Sequence, residues 1–268
     1  MPQTFYEIVW IFIIYAVIGW FSEVAYAALE RGVFINRGFL NGPYCPIYGI
    51  GVLVVVVTLT PLKKNLIILY VGSVFLTSVL EFITGFVMEK IFHNKWWDYS
   101  DKPFNIMGYV CLKFSVLWGF ACTFIMLVIH PLVYGFIRVI PRILGTALMY
   151  IFMICFFADL IVTVSTIVKF NRRLRLMNEI AGRLKLISND IGENVYENVM
   201  EALEIKEDLE KERRNLKKRY QELIEKKSPI ENRLLKAFPG IKSKENDEIL
   251  QKIKNRIQEK RRRNDKNS

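Results

Sequence analysis

Over the first 168 residues, long apolar runs alternate with short polar segments. Crossing about 30 Å of hydrocarbon takes roughly 20 residues of helix. Five runs meet that length or approach it, at about 6–29, 46–62, 66–91, 110–135 and 144–168. The second is the shortest, yet Ile47 to Leu62 carries no charge. Arg138, Pro141 and Arg142 divide the fourth run from the fifth. The start of the chain lacks a basic n-region, and Glu23 stands where a signal peptide would have a small-residue cleavage site, so the first run is read as a retained span. The pattern predicts an all-α polytopic membrane protein with about five transmembrane helices. His130-Pro131 reads as a helix end near the close of the fourth.

The polar positions inside and between these runs recur. A shift of 58 residues superimposes Glu23 on Glu81, Val33 on Ile91, Phe34 on Phe92, Asn36 on Asn94 and Arg37 on Lys95. After eight additional residues in the second copy, Gly42-Pro43-Tyr44-Cys45 aligns with Gly108-Tyr109-Val110-Cys111. Each unit is a helix, a polar loop and a helix: repeat 1 covers about 6–62 and repeat 2 about 66–135, with a fifth span at about 144–168. Two spans return the chain to its starting side, so the repeat is parallel and an inverted-repeat transporter is disfavoured. Polar elements at matching places in two membrane repeats point to a shared site at the repeat interface.

Composition changes abruptly near residue 169, which divides a 1–168 transmembrane domain from a 169–268 basic helical tail. Residues 1–168 hold eight acidic and ten basic side chains, and residues 169–268 hold eighteen and twenty-seven, so most of the net charge of +11 lies in the tail. From Met177 to Leu223, apolar or small residues recur at alternating steps of three and four, a helical seam interrupted at Glu212 and Arg213. Breaks are expected at Lys227-Ser228-Pro229 and Pro239-Gly240, followed by a short helix over Glu245 to Arg263. The tail is read as a helical hairpin or loose coiled coil.

Basic residues near span ends stay cytoplasmic. Lys169, Arg172, Arg173 and Arg175 follow the fifth span directly, which puts the tail inside and, with five spans, the amino terminus outside. Both polar loops then face the cytoplasm in a multi-pass protein of the plasma membrane. The tail's charges are interleaved with glutamates at helix-pair spacing, which speaks against nucleic acid as a partner. Arg172, Arg173, Arg175 and the Lys260-Arg261-Arg262-Arg263 cluster suit anionic lipid headgroups instead.

Ionisable side chains in hydrocarbon cost about 2.5–3.5 kcal/mol each on insertion scales, so those present need a reason. Glu23, Glu81, Glu30 and Glu89 fall in the cytoplasmic halves of spans one and three. Asp159 lies in span five with no basic residue nearby in sequence, which makes it an intramembrane acid that is protonated or paired with another span. The candidate substrate-binding set is Glu23, Asn36, Arg37, Glu81, Glu89, Asn94, Lys95, Asp98 and Asn105. Its oxygens suit hard cations, and its Arg37 and Lys95 suit an anionic headgroup or phosphate. The bland reading pairs Glu23 with Arg37 and Glu81 with Lys95. Trp96-Trp97 and Tyr99 read as an interfacial aromatic belt. Cys45, Cys111, Cys122 and Cys155 form no CxxC pair, and with only two histidines a zinc site lacks its usual ligands. No cofactor or catalytic nucleophile is indicated.

The residues also carry a family resemblance, covering roughly 5–168. Gly19-Trp20 with Glu23, Asn36-Arg37-Gly38-Phe39-Leu40, Gly42-Pro43, Pro46-Ile47-Tyr48-Gly49, Glu81 with Gly85 and Glu89, Trp97-Asp98-Tyr99-Ser100, Pro103-Phe104-Asn105, Gly108, Cys111-Leu112 and Trp118-Gly119 resemble the ABC-transporter type IV (CmpB-like) family. The resemblance implies a bacterial integral membrane protein of permease type. It does not extend to the tail. No GxxxxGK[ST] loop occurs, so any ATPase is a separate subunit. A five-span protomer is small for a transport path, which implies a homo-oligomer with the tail seam as a partner surface. Three functions remain: a permease-like subunit binding a solute or cation at the repeat interface, a membrane-anchored scaffold recruiting partners through its tail, and a membrane enzyme acting on lipid-linked substrates. The first leads.

Overall fold

The computed structural model describes residues 2–194, 201–226 and 228–266. The chain is mostly helical. Helix α1 (Phe5–Arg31) opens on a capping box, in which the Thr4 hydroxyl accepts from the Glu7 amide and the Glu7 carboxylate accepts from the Thr4 amide. It closes on Gly32 in the left-handed region at φ 67°. Helix α2 (Pro46–Leu59) runs into a 3₁₀ turn at Thr60–Leu62. The Asn65 side chain then caps α3 (Leu66–Phe92) by accepting from the amides of Ile67 and Ile68.

The next apolar stretch comprises α4 (Leu112–Phe124), a π-turn at Ile125–Ile129, and α5 (His130–Val139). The π-turn explains why His130-Pro131 does not end the helix. Proline lacks an N–H, and its ring crowds the carbonyl four residues earlier; a widened turn just upstream makes room for both. Helix α6 (Arg142–Asn194) continues unbroken through residue 168, so the composition change near 169 falls inside one helix.

Four helical stretches are long and apolar enough to cross a membrane: Phe5–Arg31, Leu66–Phe92, Leu112–Val139 and Arg142–Asn189. Pro46–Leu62 is apolar but shorter. Large apolar side chains such as Phe21, Ile67, Phe75, Phe120, Leu132 and Ile154 are exposed around these helices, as lipid-facing surfaces require. The protein is therefore an all-α, multi-pass membrane protein.

Two compact units divide the chain. The first contains residues 1–165 together with Arg233–Ile241, and the second Thr166–Asn232 with Lys242–Ser268. In the first, α1 packs on α2 and α3 on α4. Lipid gives helices no hydrophobic reason to associate, so close approach through small residues does that work. A methyl group on Gly49 would lie 2.6 Å from the Phe12 carbonyl oxygen, and one on Gly119 would lie 2.3 Å from a Val74 methyl. A core of Trp10, Ile11, Tyr15, Val55, Val56, Leu69 and Met126 fills the space between helices.

In the second unit, α7 (Glu201–Glu225) runs back along α6: Arg183 pairs with Glu212 at 3.2 Å, and Arg173 bonds the Lys226 carbonyl. Arg173 also pairs with Glu231 at 2.9 Å, at the start of α8 (Pro229–Ala237). Helix α9 (Asp247–Lys266) follows the break at Pro239-Gly240. The side chains of seam positions Ile191, Val195, Val199, Ala202 and Ile205, and of the Lys260-Arg261-Arg262-Arg263 cluster, lie outside the described residues.

Candidate functional site

The polar loop after α1 is organised by one side chain. Asn36 accepts from the Trp20 indole at 2.8 Å and the Gly38 amide at 3.0 Å, and donates to the Asn41 carbonyl at 2.8 Å. Arg37 then faces α1, with its guanidinium 3.4 Å from Glu23, 3.8 Å from Glu30 and over the Tyr26 ring. The other oxygen of Glu23 accepts from the Tyr48 hydroxyl of α2 at 2.6 Å. Glu23 thus has both a compensating cation and a neutral donor.

The second loop closes differently. Met107 and Gly108, both with positive φ, form the tight turn that pairs Asn105–Ile106 with Val110–Cys111. Asn105 accepts from the Gly108 amide at 3.1 Å and donates to the carbonyls of Ser100 and Lys102, so it fixes its loop as Asn36 does in the first. Lys95 pairs with Asp98 at 3.0 Å, bonds the Met107 carbonyl and lies over the Tyr109 ring. Its ion partner is Asp98, three residues along, and not Glu81. Asn94 is buried.

Glu81 therefore stands apart. One carboxylate oxygen accepts from the Tyr99 hydroxyl at 3.2 Å; the other is buried with no hydrogen-bond partner among the described residues. Tyr99 lies in the long second loop and stacks on Phe114 of α4. Glu23 and Glu81 thus each accept from a tyrosine hydroxyl, Tyr48 for the first and Tyr99 for the second. Burial raises the Tyr99 hydroxyl above the ordinary tyrosine range, and the carboxylates of Glu81 and Glu23 raise it further. Both acids thus act on one phenol. Glu89 receives a similar bond from Tyr109 at 2.8 Å; burial and this bond push the phenol up to about 12.

Tyrosine donors to glutamate recur, since Tyr134 also serves Glu7 at 3.1 Å. A phenol hydrogen-bonds a carboxylate while adding mostly apolar surface, which suits helices in lipid. Sequence reasoning missed these partners. Of the aromatic residues in the second loop, Trp96 is buried among Phe39, Phe92 and Phe238, and half-buried Trp97 donates to the Tyr109 carbonyl at 2.9 Å. Trp96 is thus a core residue and not part of an interfacial belt.

Among the described residues Asp159 forms no ion pair with Arg37 or Lys95, and it is held by the first loop. Its oxygens accept from the Asn41 amide and side chain, the Gly42 amide and the Thr163 hydroxyl, at 2.6 to 3.1 Å. The opposite edge of the Asn41 amide accepts from Arg233 at 3.0 Å. Arg233 was outside the candidate set, and its basic neighbours in the tail gave no signal that would separate it from them. Burial lowers the pKa of its guanidinium, while the charge of Asp159 opposes that shift.

The family described as "Putative ABC-transporter type IV" matches residues 10–164, more than half of the chain. A polytopic helical bundle with hydrogen-bonded carboxylates on its apolar helices defines the class. The chain belongs to this ABC-transporter-related family of membrane proteins. No solved structure matches it.

Proposed function

We propose that the chain is the permease-like subunit of a transporter, and that it takes a cation or cationic solute at Glu81, between the two repeats. The buried, unpartnered oxygen of Glu81 carries this reading. A carboxylate removed from water is costly to leave uncompensated, and a bound cation supplies what Lys95 does not. Glu23, compensated by Arg37, contributes through Tyr99, which senses both acids. Asn36 and Asn105 set the loops. Glu89, Asn94 and Asp98 support the second loop rather than face a solute.

In this reading the chain crosses the plasma membrane five times, with Pro46–Leu62 as the shortest span, the amino terminus outside and the tail in the cytoplasm. A separate ATPase subunit drives it, a homo-oligomer completes the path, and anionic headgroups border the basic tail. The test is thermal stability of the purified protein with sodium, potassium, magnesium, calcium and small organic ammonium ions, wild type against Glu81→Gln. A ligand of the folded state raises apparent stability by mass action. Stabilisation of wild type that Glu81→Gln abolishes supports the reading. Identical responses in both proteins overturn it and leave the membrane-anchored scaffold, which the Glu23–Arg37 pair favours.

A further inference from the structure

The nine residues Arg233–Ile241 group with the first unit, although the tail on either side of them belongs to the second. Arg233 accounts for much of their attachment. Its Nε donates to Asn41 Oδ1 at 3.0 Å, and its two terminal nitrogens donate to the carbonyls of Gly38 and Phe39 at 2.7 and 2.9 Å. Phe238 packs edge-on against Trp96 at 5.0 Å, and Arg31 bonds the Lys236 carbonyl at the end of α8.

Side chains other than Arg233 also brace this loop. Asn36 ties the Gly38 amide and the Asn41 carbonyl. Asp159 takes the Asn41 side-chain N–H and so turns the Oδ1 of that amide outward, toward the guanidinium. Asp159 also supplies a negative charge behind the loop that no direct ion pair neutralises among the described residues. A planar fork with five donors matches three fixed acceptors; a lysine ammonium, a point charge, does not span them. A prepared site of this kind spends little of its binding energy on ordering.

We propose that the Gly38–Gly42 loop over Asp159 is a guanidinium-binding site, and that Arg233 is its tethered ligand in competition with soluble guanidinium-bearing cations. Occupancy by Arg233 keeps the tail segment on the membrane unit. The site is independent of Glu81, so a failure of the permease reading leaves it intact.

The experiment is chemical rescue in the full-length protein. Thermal unfolding is measured for wild type, Arg233→Ala, Arg233→Lys and Arg233→Ala with Asp159→Asn, each with millimolar methylguanidinium or methylammonium at equal ionic strength. Arg233→Ala and Arg233→Lys are expected to melt below wild type. Methylguanidinium should return part of that loss and methylammonium should not. Wild type, already occupied, should shift little, and the Asp159→Asn double variant should not be rescued. Should Arg233→Ala fail to purify folded, Arg233→Lys gives the same readout with the charge kept. Absence of a methylguanidinium-specific shift in the folded variant, or an equal shift in wild type, overturns the proposal.

Discussion

The hydroxyl of Tyr99 donates to one oxygen of Glu81 and leaves the other buried without a partner. Removing the donor and removing the charge should therefore act in opposite directions. Tyr99→Phe deletes the bond to Glu81 and is expected to destabilise the protein by about 1–2 kcal/mol. Glu81→Gln removes the buried charge and is expected to leave cation-free stability unchanged or raised. Thermal unfolding in one detergent compares them, and a large loss in Glu81→Gln contradicts an uncompensated carboxylate. The phenol's pKa is raised in the folded state, so its contribution is complete below the ordinary tyrosine value near 10 and is lost as pH climbs past it.

Asp159 holds the first loop through acceptor bonds that need both oxygens. Asparagine keeps one acceptor oxygen and places an NH2 where the other oxygen stood, so its donors would face the amide of either Asn41 or Gly42. Asp159→Asn is expected to lower stability by about 2–3 kcal/mol, as the loss of charge-assisted bonds with partners left unsatisfied predicts. Hydrogen exchange should show the amides of Asn41 and Gly42 losing protection first. Unchanged protection there argues against this anchoring.

Gly108 combines a left-handed backbone at φ 73° with tight surroundings. A methyl group there would lie 2.5 Å from both Asp98 Oδ1 and Lys95 Nζ. Gly108→Ala should cost about 1–3 kcal/mol from backbone strain, with the contact adding to it. Lys102→Ala, which keeps the backbone carbonyl used by Asn105, should be nearly silent in the same unfolding assay.

In the tail, Arg173 and Glu231 form an ion pair in which each side chain is only 10% exposed. Removing one member of a buried pair leaves the other uncompensated. Arg173→Met is expected to destabilise by about 3–5 kcal/mol, and adding Glu231→Gln should recover part of that loss. A double-variant cycle reads the coupling. Additive losses would show that the pair contributes no interaction of its own.

Apolar length and continuity in the sequence determined that this is an all-α, multi-pass membrane protein, because a span's preference for lipid is the sum of local side-chain choices. The family was legible for the same kind of reason: its motifs are ordered runs of neighbouring residues. Tertiary structure decided the partners. Glu23 pairs with Arg37, as one reading of the sequence had it, but Lys95 turns to Asp98, an acid three positions along its own loop. Tyr99, read as an interfacial aromatic, became the donor to Glu81 because the second loop folds back onto α3. Asp159 gave no hint of its main partners, since apart from Thr163 on its own helix the groups that bind it are amides of a loop over a hundred residues earlier. Arg233 reaches the same loop across 192 positions. Hydropathy records what each residue prefers as solvent; hydrogen-bond partners depend on which loops the packed helices bring together, and that is a property of the fold.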